Sequence, residues 1–284
     1  MEVALNVAAQ TRRSPVNDTR TARLVFERMG PRSVVAAAFA RSPLRILTPR
    51  NHGHAAWAYT STLGGGLVDG DWLRLAVRVG AGAAAVLATQ GETRVYRSPH
   101  GCRSELLAEA EEDSLLAVLP DPTVCFAGAR YSQRTDLRLA AGAALVFLDV
   151  LSAGRSARGE RWAFRRYAGE LTLRRADRVL LQEGTLLDPQ HGPIGERFDR
   201  FDVIATLLLA GERIRDARTA LAQKLGALPV QQRTNLLESA NDLGDDVLLV
   251  RMAATSLEDL LRKIREHLQF LPALLGDDPW ARRP

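Results

Sequence analysis

Asp149 follows Leu145-Val146-Phe147-Leu148, so a carboxylate ends an apolar run of strand length. Burying such a group is expensive unless it is paired or hydrated. Two readings follow: an ion pair with Arg155 or Arg158, or a place on a water-lined path where carboxylates attract a divalent cation and release it. His52-Gly53-His54 sets two imidazoles on one face of an extended segment, the spacing of a partial metal site. No thiol or carboxylate nearby completes the set, and two solvated histidines beside a turn explain the pattern as well. Asp69 and Asp71 form an acid pair or, being next to glycine, bond their own backbone in a turn. Gly154-Arg155-Ser156-Ala157-Arg158 begins like a nucleophile elbow and then carries Arg where the second Gly is required. Gly64-Gly65-Gly66-Leu67-Val68-Asp69-Gly70 fits neither a phosphate loop nor a dinucleotide fingerprint and reads as a tight turn. Cys125, within Thr123-Val124-Cys125-Phe126, reads as a packing residue.

These residues need elements to position them, and from about residue 20 to 190 those elements have period two. Leu73-Arg74-Leu75-Ala76-Val77-Arg78-Val79 puts apolar groups on one face and charges on the other. Asp136 to Leu139 and Glu170 to Arg174 repeat the alternation, while Ala144 to Leu148 is a continuous apolar run suited to a strand covered on both faces. Glycine-bearing turns separate these stretches, which argues for an antiparallel sandwich or a coiled β architecture. After residue 200 the character changes. Phe201 to Leu209 is an apolar strand, and Ile214, Ala217, Leu221, Leu225 and Leu228 fall at helical spacing. Val247 to Val250 gives a short strand. Thr255-x-x-Glu258 then forms a capping-box signature before Leu257, Leu260, Leu261, Ile264, Leu268 and Leu271, a second amphipathic helix. The expected fold is α+β and mainly β: a tail over 1–19, a β-helical or sandwich-like body of many short strands over 20–200, and a strand-helix-strand-helix portion over 201–284 packed on it.

The formal net charge is +5, carried almost wholly by arginine, with Lys224 and Lys263 the only lysines. The arginines are interleaved with Asp and Glu instead of forming one basic stripe with aromatics, so the charge argues against a nucleic-acid partner and suits protein interfaces. Cys102 and Cys125 lack the spacing of a disulfide framework or a zinc site, which fits a reducing compartment. The first fifteen residues lack the apolar core of a signal peptide, and no uncharged apolar run reaches the ~18 residues of a membrane span. The expectation is a cytoplasmic protein with no membrane partner.

Leu63-Gly64-Gly65-Gly66-Leu67-Val68-Asp69-Gly70-Asp71 is followed, one strand later, by Ala88-Thr89-Gln90-Gly91-Glu92-Thr93-Arg94-Val95-Tyr96-Arg97-Ser98. A third block runs from Leu148-Asp149-Val150-Leu151-Ser152-Ala153-Gly154-Arg155 to Arg158-Gly159-Glu160-Arg161-Trp162, and Pro122 to Gln133 lies between. In order and separation these segments resemble the UreD (UreD/UreH) family of urease accessory proteins, over roughly residues 20 to 275. Val-Asp-Gly-Asp departs from the commoner pattern, and Glu92 stands where a small residue is usual.

The resemblance implies a β-rich coil-like body and a non-enzymatic scaffold. Its expected partners are apo-urease, a UreF-type accessory protein and, through that complex, the GTPase UreG. It further implies nickel in transit through an internal polar channel, with no stably bound cofactor. Asp71, Thr93, Arg94, Asp149, Arg158 and Glu160 match polar positions in the family's motifs; of these, Asp149, Glu160 and Asp71 are the expected carboxylates of the nickel path, with Thr93, Arg94 and Arg158 as polar residues beside it. Such a path needs weak, sparse ligands, since tight coordination would trap the ion. A competing reading is a metal-dependent enzyme whose carboxylate site, built from Asp69, Asp71, Asp149 and Glu160, sits on a β fold.

Overall fold

The computed structural model describes residues 21–50, 53–229 and 233–281; the 1–19 tail and His52 lie outside them. In chain order the strands are β1 Ala22–Met29, β2 Arg32–Phe39, β3 Leu44–Leu47, β4 Ala56–Thr62, β5 Trp72–Val79 and β6 Ala84–Thr89. There follow β7 Thr93–Val95, β8 Cys102–Ala110, β9 Leu115–Leu119, β10 Thr123–Cys125, β11 Arg130–Leu139 and β12 Ala144–Ser152. The last are β13 Arg166–Arg175, β14 Arg178–Leu187, β15 Val203–Ala210, β16 Leu236–Asp242 and β17 Val247–Ala254. The helices are α1 Ile194–Arg197, α2 Arg215–Gly226, α3 Leu257–His267 and α4 Leu271–Leu275.

Sheet A has the order β14-β13-β11-β8-β5-β1-β2 and sheet B the order β16-β17-β15-β12-β9-β6-β4-β3. The chain passes alternately through A and B, stacking β5, β8, β11 and β13 in parallel in one sheet and β4, β6, β9 and β12 in parallel in the other. At a third corner β7 pairs in parallel with β10. The body is therefore a coil of the solenoid kind, closed by antiparallel pairs: β1 with β2, β13 with β14, β3 with β4, and β12 with β15 and on to β17 and β16.

The sequence pattern follows from this layering. Sheet A buries one face, so β5 alternates: Leu75, Val77 and Val79 enter the core while Arg74 and Arg78 face outward to Glu105 at 2.9 Å and Glu111 at 2.6 Å. Sheet B is covered by sheet A on one side and by α2, α3 and α4 on the other, so β9, β12 and β15 read as unbroken apolar runs. Leu145 and Phe147 pack between the sheets; Val146, Leu148 and Val150 pack under the helices with Leu221, Leu225, Leu260 and Ile264. The expectation that Ala144 to Leu148 is covered on both faces is met.

Four local expectations need correction. Ser256, not Thr255, caps α3: its Oγ accepts from the Asp259 N–H at 3.3 Å, which moves the start by one residue. That helix also stops at His267, and α4 restarts at Leu271 with Pro272 in its first turn. Proline has no N–H to continue the ladder, so Leu257 to Leu271 does not form one helix. Between α2 and β17 lies β16, which the strand-helix-strand-helix reading omitted; its LLESAND sequence is half polar because it is an exposed edge. Leu228 lies beyond the end of α2 and is 47% exposed.

Candidate functional site

Between the sheets the apolar core is in two pieces. One is built around Leu145, Phe147, Leu116 and Val118, the other around Leu151, Tyr131, Tyr167 and Cys125. Along β12 the inward-facing positions run Leu145, Phe147, Asp149, Leu151, so Asp149 falls at the break. Strand register extends that break sideways. In sheet B, Asp149 lies opposite Thr206, Thr206 opposite Arg251, and Arg251 opposite Ser239. In sheet A, Ser104 pairs with Gln133, Gln133 with Gly169, and Gly169 with Thr185. Two rows of polar and small residues thus face each other across the solenoid, and none is contiguous with its neighbours in sequence.

Cavities follow these rows. One of about 490 Å³ is lined by Asp149, Tyr167, Glu183, Thr185, Thr206 and Arg251 among others. A second, of about 150 Å³, is lined by Asp149, Gln133, Ser104, Thr123 and Thr93. A third, of about 410 Å³, takes in Thr93 and the loop Thr89-Gln90-Gly91-Glu92. Asp149 is shared by the first two and Thr93 by the last two. The exposure Asp149 retains is to these spaces, and protein encloses it otherwise.

Hydrogen bonds fix the groups along the way. Gln133 Nε2 donates to Asp149 Oδ2 at 3.0 Å across the gap between the sheets. The Tyr131 hydroxyl lies 3.4 Å from Gln133 Oε1 and 2.5 Å from Ser104 Oγ. Glu183 Oε1 accepts from Arg251 Nε and Nη2 at 3.1 and 3.0 Å, a second bridge between the sheets, while Glu183 Oε2 is buried without a protein hydrogen-bond partner. Burial pushes the Asp149 carboxyl above its ordinary range and the nearby Glu183 charge adds to this, against the pull of the Gln133 and Val150 N–H donors. Burial likewise raises Tyr131 and Tyr167, so both phenols stay protonated.

Asp149 pairs with neither Arg155 nor Arg158, which corrects the ion-pair reading; its side-chain partner is Gln133. Arg155 clasps Glu160 instead, with Nε to Oε2 at 2.9 Å, while its guanidinium stacks 4.1 Å from the Phe126 ring centroid. Glu160 Oε2 also accepts the Ala127 N–H at 3.1 Å, and the Arg155 bond holds the Glu160 carboxyl below its ordinary range. Gly154 has φ +106, and a Cβ there would come within 2.6 Å of the Glu160 carbonyl oxygen, so this clasp requires glycine. A further cavity of about 620 Å³ beside it is lined by Arg94, Arg158, Phe126 and Arg155, and shares Glu92 and Arg94 with the third cavity of the series. Asp71 closes a turn by accepting the Val68 N–H at 2.8 Å, and Asp69 accepts the His100 and Gly101 N–H groups at 2.8 and 3.0 Å. His54 Nε2 donates to the Leu274 carbonyl at 2.8 Å. Cys102 and Cys125 are buried free thiols; burial raises the first to about 11 and the second further, so neither is a thiolate at neutral pH.

Among the proposed residues, then, the fold brings Asp149, Thr93 and Arg94 onto one series of cavities, puts Arg158 on the adjoining cavity that Arg94 also lines, and sets Asp71 apart in a turn. Gln133, Glu183, Thr206 and Arg251 were not singled out from sequence. The available signal was a polar residue at an inward position of a strand, as in Tyr131-x-Gln133-x-Thr135-x-Leu137. Among the described residues no group of three or more His, Cys, Asp or Glu stands close enough to hold a metal ion, and no helix is long and apolar enough to cross a membrane.

These features define a class: a capped β-solenoid with a polar gap running between its two sheets. The chain belongs to the family described as UreD urease accessory protein, whose model matches residues 19–284. It is 50% identical over 260 residues to the urease accessory protein UreD of Sorangium cellulosum, covering 92% of this chain and 83% of that one. The Anaeromyxobacter sp. protein of the same name is 40% identical over 264 residues, covering 92% and 89%. Urease accessory protein D of Arabidopsis thaliana is 29% identical over 292 residues, covering 92% and 99%. The general role of the chain is accordingly in urease maturation.

Proposed function

We propose that this protein is a non-catalytic scaffold that binds apo-urease and a UreF-type partner, with UreG joining through that complex, and that nickel crosses it on the way to the urease active site. The observation that carries the reading is the series of three cavities joined at Asp149 and at Thr93. A divalent ion needs oxygen donors along its way and few at any one point, and the series of cavities offers Asp149, Glu183, Thr206 and Thr93 spread along its length. Glu160 and Asp71 are the outlying carboxylates of the proposed path, Glu160 flanking the cavity that carries Arg94 and Arg158. Exposed Leu63, Val68 and Trp72, at 48, 52 and 46%, offer apolar area for a partner.

Co-expression with urease subunits and both accessory partners tests the scaffold: this chain should co-purify with apo-urease and the UreF-type protein, and failure to bind either removes the reading. For the path, Asp149→Ala and Glu160→Ala should each lower nickel-dependent urease activation while leaving co-purification intact. Full activation by both variants would refute it.

A further inference from the structure

We propose that Gln133 is the gate of this path, its side-chain amide turning over to present Oε1 beside the Asp149 carboxylate as a cation passes. The inference rests on the transit reading above and adds a moving part to it. Gln133 stands on β11 of sheet A and Asp149 on β12 of sheet B, so their 3.0 Å hydrogen bond bars the gap where the two cavities meet. In that arrangement an N–H points at the oxygen a cation would seek, and a cation cannot share Oδ2 with it on the same side. A primary amide has a donor on one side and an acceptor on the other, so a half-turn replaces the N–H with a neutral oxygen of the kind divalent ions accept.

What makes the turn inexpensive is the chain behind it. With the bar closed, Ser104 Oγ donates to the Tyr131 hydroxyl, which donates to Gln133 Oε1. With the amide reversed, Gln133 Nε2 donates to the Tyr131 oxygen and Tyr131 donates to Ser104 Oγ. Both hydroxyls serve in either role, so each hydrogen bond behind the amide survives with its direction inverted. A methionine or leucine could not do this. A second carboxylate at 133 would hold the ion instead of passing it.

The test uses the preassembled complex of this chain with its accessory partners and apo-urease, given nickel sulfate. It measures the initial rate of urease activation and the nickel left on the complex after desalting. Gln133→Leu should co-purify normally and activate about tenfold more slowly, the effect of losing one interaction with a charged group. Gln133→Glu should retain nickel after desalting, a readout that a purely structural role for the residue would not move. Tyr131→Phe leaves the amide in place but removes the hydroxyl that changes roles. It should slow activation about threefold, and it decides the matter if Gln133→Leu does not assemble. Wild-type rates in Gln133→Leu and Tyr131→Phe, beside a slowed Asp149→Ala, would overturn the gate and leave the path standing. A wild-type rate in Asp149→Ala as well would overturn both.

Discussion

Asp149→Asn should make the protein more stable and less useful. The side chains are nearly the same shape, and the Gln133 N–H can still donate to the amide oxygen that replaces Oδ2. What changes is the cost of the charge. Because burial raises the Asp149 carboxyl, the folded protein still holds that proton at pH values where the unfolded chain, near the ordinary value of 3.8, has lost it. The sign follows: the unfolded state gains from ionisation as pH rises through 3.8, so wild-type stability falls relative to the asparagine variant until the folded carboxyl itself ionises. Within that window the difference grows by about 1.4 kcal/mol per pH unit. Each pH unit of that window corresponds to a rise of roughly 3 °C in Tm. Thermal melts of purified wild type and variant between pH 5 and 8 read this directly, with nickel-dependent activation measured in parallel. A Tm gap that is absent at pH 8, or that narrows as pH rises from 5, would refute the assignment of Asp149 as a buried carboxyl whose ionisation the fold resists.

Other outcomes follow from single contacts. Gly169 lies in the polar row, and a Cβ there would meet the Tyr167 hydroxyl at 3.1 Å. Gly169→Val should push that ring into the cavity it lines and lower urease activation several-fold, with assembly retained on co-purification. Ser256→Ala should cost about 1 kcal/mol through the lost cap, seen as a drop of roughly 2–4 °C in Tm. Thr255→Ala should leave Tm unchanged by comparison.

The sequence made the layering legible because layering controls hydrophobic period. β5 alternates because one face meets water; β12 does not because helices cover its second face. Asp149 was legible for the same reason, as the single charge in a run that has no solvent side. Gln133 and Glu183 were not, because their importance comes from register: β11, β12 and β14 are brought side by side or face to face by coils of chain that no local window spans. The Arg155–Glu160 clasp shows the converse. The arginines near Asp149 in sequence suggested its partners, but Asp149 points between the sheets, whereas Arg155 follows Gly154 out of the strand and folds back on its own loop. β16 escaped notice because an edge strand that faces water on most sides has little need of apolar alternation.

The antiparallel strands that close the solenoid also decide how copies of it can meet. A parallel coil left open at either end would accept another coil by the same rule that stacked its own. Here each terminal strand runs against its neighbour, so the repeat cannot propagate. All four rims carry charge, with Arg45 on β3, Arg178 and Glu183 on β14, Glu238 and Asp242 on β16, and on β2 only its first residue, Arg32. Past Arg32, β2 runs as Ser33-Val34-Val35-Ala36-Ala37-Ala38-Phe39 without another charge, which makes it the rim least guarded against strand-to-strand growth.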